Sequence, residues 1–126
     1  MKRVRQKATP LELQVGEICK SVGMRYRCNV KSLPGSPDLA NKTEKWAVFA
    51  NGCFWHHHAN CKLATIPSQN ADFWREKFSL NQARDVRKVA QLKALGFRVA
   101  VVWQCELKTP KRVVRRLSNL RKASVV

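Results

Sequence analysis

The sequence predicts an α/β domain in which a mixed central sheet is flanked by helices. Apolar residues recur at helical spacing near the start and in a long central segment, and short apolar runs bounded by turns separate these segments. The predicted order is α-β-β-β-loop-α-β-α. A chain of 126 residues suffices for one domain, so we assign 1–126 to a single domain, with a short basic arm at 1–8 and a basic C-terminal helix at 108–126.

The first helix is predicted from its start signal. Thr9 is a candidate N-cap, Pro10 suits the first helical position, and Glu12 completes a capping box. Gly23 is expected to end the helix. The apolar residues at helical spacing are Leu11, Val15, Ile18, Cys19 and Val22.

Three strands are predicted next. Residues 26–30 alternate apolar and polar side chains, as a half-buried strand does. The turn at 33–37 precedes a short strand at 38–40, and the polar turn at 41–45 precedes an apolar strand at 46–50.

A helical pattern returns at 70–95, as one helix or as two pieces, and Gly96 is expected to end it. The strand at 97–103 follows and is apolar enough to be central in a sheet. The residues of this helix that we expect to point inward are Phe73, Phe78, Val86, Val89, Leu92 and Leu95.

The last helix is predicted to start at Thr109 and Pro110 and is strongly basic. Its basic residues either follow the phosphates of a nucleic acid or form a solvated helix face, and the sequence leaves both interpretations open. They are Lys111, Arg112, Arg115, Arg116, Arg121 and Lys122.

The charge of the chain points to a polyanionic partner. Lys and Arg number 25 against 8 Asp and Glu, a formal net charge of +17. Nucleic acid fits best, because neutralising its phosphates releases counterions. No stretch approaches the about 20 apolar residues that a spanning helix needs. Residues 1–7 are basic but lack the apolar region of a signal peptide, so we expect a cytoplasmic protein and no membrane partner.

The five cysteines are irregularly spaced and odd in number, which in a reducing compartment favours metal binding over disulfides. Cys53, His58 and Cys61 lie in one loop, with a spacing that lets them wrap a single zinc ion. Cys105, directly after the strand at 97–103, is the candidate fourth ligand, which would make the site structural. The alternative is a free cysteine pair beside solvated histidines. Outside this group, both Cys19 and Cys28 are expected to be buried small hydrophobic residues.

Two consecutive aromatic residues, Phe54 and Trp55, lie inside this polar loop. They either cover the zinc site or stack on and wedge between DNA bases. With a charge of +17 elsewhere in the chain, we favour base contact.

Acidic residues are scarce, and three of them are candidate site residues. Asp38 lies at the start of a predicted strand, where it serves either the turn or a Mg²⁺ ion held against a phosphate. Glu12 either caps its helix or supports that metal. Asp85 either pairs with Lys88 on a solvated helix face or also supports that metal. His56, which the zinc does not need, is a candidate general base or transition-state partner.

Several segments together resemble the very-short-patch-repair (Vsr) mismatch endonucleases, and the resemblance covers residues 9–107 in order. The Gly-Cys-Phe-Trp-His-x-His block is its most specific part. The matching segments are 33–38, 52–58, 73–77, Asn81, 84–85 and 102–105.

The resemblance implies a restriction-endonuclease-like fold of the PD-(D/E)xK type with a structural zinc site. It also implies a Mg²⁺-dependent endonuclease that nicks duplex DNA 5′ to the thymine of a T·G mispair, the lesion left when 5-methylcytosine deaminates. The partner would be double-stranded DNA carrying that mismatch, together with proteins of a repair pathway. A monomer acting at the nucleoid of a bacterial cytoplasm is expected.

Roles carried over by position concern the catalytic residues first. Asp38 would bind Mg²⁺ together with the backbone carbonyl of Ala50, and His56 would be the catalytic histidine. Glu12 and Asp85 would support the hydrated metal or its water network.

The resemblance also implies a zinc site and a wedge of aromatic residues that enters the duplex beside the mismatch. The zinc ligands would be Cys53, His58, Cys61 and Cys105, and the wedge would be Phe54, Trp55 and Trp74.

The chain departs from the family pattern at three places. Ala50-Asn51 replaces the usual Thr-His, Ala59-Asn60 adds one residue before Cys61, and the basic arm before the first helix is short. Two alternative functions therefore stay open. One is a catalytically weakened DNA or mismatch binder, and the other is a related nuclease that cuts unmispaired DNA.

Overall fold

The helices and strands follow one another in the predicted order. The computed structural model describes the backbone of residues 10–123 and the side chains of residues 10–120. The elements are α1 (Pro10–Ser21), β1 (Arg27–Cys28), β2 (Leu39–Asn41), β3 (Trp46–Asn51), α2 (Ala71–Ala94), β4 (Arg98–Trp103), a 3-10 helix (Gln104–Lys108) and α3 (Pro110–Ala123). The α/β class is confirmed, and the 3-10 helix is an addition to the prediction. No helix among the described residues has the length and apolar character needed to cross a membrane.

The four strands form one mixed sheet in the order β1-β2-β3-β4. β2 runs antiparallel to β1 and to β3, whereas β3 and β4 are parallel because the chain crosses over through α2 between them. Trp46 lies opposite Arg98 and Asn51 lies opposite Trp103, so β3 and β4 begin and end together. The residues that directly follow these two strands therefore emerge at the same end of the sheet.

Helices cover both faces of the sheet. Side chains alternate between the faces along β3, so Trp46 and Val48 join one core cluster while Ala47 and Phe49 join the other. The first cluster includes buried residues of α1 and α3, namely Val15, Cys19, Val113 and Leu117. The second includes Leu92 of α2 and Phe97. The sheet is thus enclosed between α1 and α3 on one side and α2 on the other.

The expectation that residues 97–103 form a central strand was wrong. β4 is an edge strand, and β2 and β3 are the inner pair. The strand is nevertheless apolar because helices cover both its faces. Side chains also bridge it to α3: Arg116 donates a hydrogen bond to the carbonyl of Val101 at 2.8 Å, and Arg98 donates one to the carbonyl of Leu120 at 3.1 Å.

The prediction for the first strand was also only partly right. β1 is confined to Arg27–Cys28, and both of its residues are exposed. Cys28 is therefore not the buried residue that we expected, because it lies on a two-residue edge strand, whereas Cys19 is fully buried as predicted. Pro10 is the first residue of α1, and the proposed cap Thr9 and the arm at 1–8 lie outside the described residues.

Residues 71–94 form one continuous helix, and half of its expected inward residues point outward. Phe78 and Leu92 are buried, and Val89 packs against the second cluster. Phe73, Val86 and Leu95 are instead 59%, 71% and 51% exposed. The inward stripe follows Phe78, Asp85, Val89 and Leu92 at helical spacing, so a polar residue occupies its middle. The apolar pattern failed there because α2 faces a polar site at that turn.

α3 begins at Pro110, and its basic residues do not behave alike. Lys111, Arg112 and Arg115 are exposed, consistent with either interpretation of the basic face. Arg116 instead forms an ion pair with Glu106 and has a structural role. The side chains of Arg121 and Lys122 lie outside the described residues.

The packing of α3 can be tested at Leu117, whose side chain is fully buried. We expect Leu117→Ala to lower the free energy of unfolding by about 2–4 kcal/mol, because it removes buried methyl groups and leaves a cavity. Chemical denaturation measures this loss. The exposed Arg115→Ala on the same helix should stay within about 0.5 kcal/mol of the wild type. Equal effects of the two substitutions would contradict the described packing.

Candidate functional site

The four cysteine and histidine residues proposed as ligands come together. The donor atoms of Cys53, His58, Cys61 and Cys105 all lie within 4.8 Å of one another. Cys53 lies two residues after β3, and Cys105 lies two residues after β4, in the 3-10 helix. The parallel pairing of these strands brings both cysteines to the same end of the sheet, and the loop after β3 contributes the other two.

The spacing of the donors fits a tetrahedral ion. Nδ1 of His58 lies 3.8 Å from Sγ of Cys53 and 3.5 Å from Sγ of Cys105. Typical zinc–sulfur and zinc–nitrogen bond lengths place such donors about 3.6 Å apart around one zinc. Thiolate and imidazole donors are also the set that zinc prefers. Four protein donors leave no open position, so the arrangement fits a structural metal site.

The cysteines of the cluster have unequal acidities. Burial raises the pKa of the Cys53 thiol to about 12, and burial also raises the pKa of Cys105. The backbone N–H of Leu63 lowers the pKa of Cys61. Metal binding must therefore displace protons from Cys53 and Cys105, and the affinity for the ion should increase with pH.

A set of contacts from β4 and the 3-10 helix supports this cluster. The indole of Trp103 stacks on the His58 ring with centroids 4.1 Å apart, and the side chain of Gln104 accepts a hydrogen bond from the Cys53 N–H at 3.2 Å. Glu106 accepts hydrogen bonds from the Trp103 N–H at 2.8 Å and from both terminal nitrogens of Arg116 at 2.9 and 2.5 Å. The sequence analysis did not predict this supporting role, because the pattern that pointed to a metal consisted of cysteine and histidine alone.

Asp38 lies next to the end of β3. Its Oδ2 accepts a 2.7 Å hydrogen bond from the backbone N–H of Ala50, and its carboxyl group also hydrogen-bonds with Glu12 of α1. Burial raises the pKa of Asp38, and the Ala50 N–H, Glu12, Lys88 and His56 each oppose this increase. Two carboxyl groups in contact supply the oxygen donors that Mg²⁺ prefers, so this pair fits a hard divalent cation.

His56 and Asp85 form the second part of this acidic site. Nδ1 of His56 lies 2.7 Å from Oδ2 of Asp85, and the ammonium of Lys88 lies 3.1 Å from Oδ1. Burial raises the pKa of Asp85, but the hydrogen bonds with His56 and Lys88 outweigh it, and the pKa is lower than usual. The predicted pair of Asp85 and Lys88 is present, but their side chains are only 21% and 20% exposed. They do not lie on a solvated face.

The loop that follows β3 carries residues of both the cysteine cluster and the acidic site, and α2 holds its middle part. Asn81 donates a hydrogen bond to the carbonyl of residue 55 at 3.0 Å, and Gln82 donates one to the carbonyl of residue 57 at 2.9 Å. Asp85 contacts the side chain of His56, which lies between these two loop residues. Successive turns of α2 therefore position residues 55–57 while the cysteine cluster positions the two ends of the loop.

Aromatic residues of the loop pack against α2. The Phe54 ring lies 5.1 Å from that of Trp55, 5.8 Å from that of Trp74 and 5.2 Å from that of Phe78. Trp55 remains 54% exposed. The aromatic ring that stacks on His58 is that of Trp103. An exposed aromatic group thus lies beside the acidic site.

Comparison with known proteins gives consistent results. The family model described as DNA mismatch endonuclease Vsr matches residues 1–63. The type II nicking enzyme V.XorIIP of Xanthomonas oryzae pv. oryzae is 43% identical over 120 residues, which cover 95% of this chain and 88% of the relative. V.NmeAIP of Neisseria meningitidis, also named a type II nicking enzyme, is 40% identical over 95% of this chain and 85% of its own length. The DNA mismatch endonuclease Vsr of Escherichia coli is 36% identical over 86% of this chain and 69% of its own length.

The cysteine cluster can be tested by metal analysis. We expect about one zinc per chain, and we expect Cys105→Ser to lose most of it and to unfold at a lower temperature, because three donors bind the ion less tightly than four. Mass spectrometry of metals and thermal denaturation measure the two effects. Cys28→Ser is the matched control, since Cys28 is exposed and outside the cluster. Full metal content in Cys105→Ser would exclude it as a ligand.

Proposed function

The chain belongs to the Vsr family of DNA endonucleases, and from this premise we propose that it nicks duplex DNA 5′ to the thymine of a T·G mispair. Such mispairs arise when 5-methylcytosine deaminates. The observation that carries the proposal is the convergence of Asp38, Glu12, His56 and Asp85 at one end of the sheet, beside an exposed aromatic group. Oxygen donors, an oriented histidine and a base-stacking surface are the parts that such a reaction needs.

Asp38 is the proposed Mg²⁺ ligand, with the backbone carbonyl of Ala50 beside it and Glu12 supporting the water network. A bound Mg²⁺ ion would polarise the scissile phosphate and lower the charge barrier to attack by water. The Ala50 N–H holds Asp38 at 2.7 Å, so the carboxylate is oriented before any metal binds. Because this contact uses only the backbone, alanine at position 50 can supply it as well as the threonine usual in the family.

His56 is the proposed general base. Its Nδ1 donates to Asp85, which fixes the tautomer in which Nε2 carries the lone pair. That nitrogen can then accept a proton from the attacking water. A positioned general base contributes about 10²–10⁴-fold to such a reaction. Asp85 would orient the ring and stabilise the imidazolium that forms.

The cysteine cluster is proposed to hold zinc as a structural brace. Its ligands Cys53 and His58 flank the loop residues 54–57, so one ion fixes both the aromatic and the catalytic side chains. Phe54, Trp55 and Trp74 would form the wedge that enters the duplex beside the mismatch. The zinc itself would take no part in the chemistry.

The charge of the chain supports binding to duplex DNA. A net charge of +17 drives association with phosphates, and repair-pathway proteins would act after the nick. We propose that the protein acts as a monomer on bacterial nucleoid DNA in the cytoplasm. The nuclease fold implied by the family, of the PD-(D/E)xK type, agrees with a sheet that presents Asp38 at a strand start.

The role of Asp38 can be tested with Asp38→Asn. We expect it to abolish Mg²⁺-dependent nicking of a labelled duplex with one T·G mispair while binding is kept. Asp72→Asn is the control, because Asp72 is an exposed acid on α2. Tight binding by the wild type without a nick would instead favour a weakened mismatch binder, and equal cutting of a fully paired duplex would favour a nuclease for unmispaired DNA.

The same variant has an expected effect on stability. Since burial raises the pKa of Asp38, its contribution to stability is present at low pH and is lost as the pH rises through the folded-state pKa. The asparagine side chain of Asp38→Asn does not ionise, so it avoids this loss of stability, and its oxygen can still accept the hydrogen bond from the Ala50 N–H. In Mg²⁺-free buffer at neutral pH, Asp38→Asn should therefore unfold at a temperature no lower than the wild type. A clear decrease would show that the carboxylate stabilises the metal-free fold.

The aromatic wedge can be tested with Trp55→Ala. Stacking of a base on an aromatic side chain contributes about 1–3 kcal/mol, so affinity for the T·G duplex should decrease roughly 5- to 150-fold. Affinity for a fully paired duplex should change much less. Leu95→Ala is a control of similar exposure at the far end of α2. Equal losses on both duplexes would mean that Trp55 contacts DNA without recognising the mismatch.

A further inference from the structure

Among residues 10–120, whose side chains the structure describes, Lys88 is the lysine that is not exposed. The Lys88 side chain is only 20% exposed, and its ammonium lies 3.1 Å from Oδ1 of Asp85. It also lies 5.2 Å from the centroid of the Phe49 ring, within the range of a cation–π contact. Burying an ammonium costs free energy unless it is paired, and Asp85 and the Phe49 ring supply that compensation.

The turn before Asp38 provides the space for this side chain. Gly35 has φ 74°, and a Cβ there would lie 2.5–2.8 Å from the Cβ, Cγ and Cδ of Lys88. Any other residue at position 35 would displace the lysine or the turn. The turn at 33–38 therefore presents Asp38 and also confines Lys88 against Phe49 of β3.

Both oxygens of Asp85 have a fixed partner. Oδ2 contacts Nδ1 of His56 at 2.7 Å, while Oδ1 contacts Lys88. With His56 as its only partner, the carboxylate could rotate about its own axis and the imidazole could follow. The second contact fixes the plane of the carboxylate and, through it, the plane of the ring.

The charge of Lys88 acts on the other half of the site as well. It favours the ionised form of Asp38, so the ammonium acts on two carboxylates, Asp85 by direct contact and Asp38 through its charge. Three acidic residues in one small site would repel the phosphates of a DNA backbone. The positive charge of Lys88 lowers that repulsion.

Resting on the nicking activity proposed above, we infer that Lys88 is a positioning residue for the reaction. It holds Asp85, and through Asp85 the general base His56, in the reactive orientation, and it offsets the negative charge around Asp38. Lys88 acts through these neighbours and does not bind the phosphate itself.

The first test is the single-turnover nicking rate of Lys88→Met on a T·G duplex. We expect the rate constant to decrease roughly 10- to 100-fold, less than the about 10²–10⁴-fold that a general base contributes. The dissociation constant for the duplex should change less than about twofold, because Lys88 does not contact phosphate. Lys88→Arg should recover part of the rate. The exposed Lys93→Met on the same helix is the control and should match the wild type.

A double-mutant cycle with Asp85→Asn tests whether Lys88 acts through Asp85. In the Asp85→Asn background, Lys88→Met should cost much less than it does alone, since the shared interaction is already lost. Fully multiplicative effects would overturn the inference. The inference would also be overturned if Lys88→Met bound the duplex more weakly and with a shallower salt dependence, because that combination indicates a direct phosphate contact.

A measurement without DNA separates this inference from the proposed function. The chain has three histidines, so long-range proton–nitrogen spectra of the imidazoles can be assigned by single substitutions. We expect the wild type to show one fixed tautomer at His56, protonated on Nδ1, and Lys88→Met to show tautomer exchange. An unchanged spectrum would refute the positioning role even in a chain that nicks DNA. A wild type that does not nick would refute only the proposed function.

Discussion

The parallel pairing of β3 with β4 is the constraint on which the site depends. It places Asn51 opposite Trp103, so the two strands end together, and the segments that follow meet at one end of the sheet. Cys53 and Cys105 become neighbours for this reason, although they are far apart in the chain. The antiparallel partner β2 starts at the same end, which places Asp38 against Ala50. The registers of β3 with its two neighbours therefore determine the cysteine cluster and the acidic site.

The loop after β3 has little regular structure of its own, and its precision comes from its surroundings. The cysteine cluster holds it at Cys53, His58 and Cys61, and α2 holds residues 55–57 through side-chain contacts. Behind the cluster, Glu106 links β4 to α3 through Arg116. A loop without regular secondary structure can keep its geometry when contacts on both sides of it are fixed.

Electrostatics in this protein act on two scales. The whole chain carries a charge of +17, which attracts any polyanion, yet the site itself gathers Asp38, Glu12 and Asp85. Local acidity suits the cation and the oriented histidine that we propose for this site, and the distant basic residues would offset its repulsion of DNA. Lys88 is a basic residue, like those that give the chain its net charge, but it lies inside the acidic site. Its spacing from Asp85 in the sequence is also typical of a solvated ion pair, so the sequence could not show this position.

The sequence by itself determined the α/β class, the order of the elements, the four cluster residues and the set of acids, because each follows from local periodicity or from the chemistry of a residue type. It also led to the family through motifs that lie in order along the chain. Only the tertiary structure decided that β4 is an edge strand, that Cys28 is exposed and that Val86 points outward while Asp85 points inward. These outcomes depend on which neighbour covers each face, and hydrophobic periodicity cannot report a polar site at the centre of a helix–sheet interface.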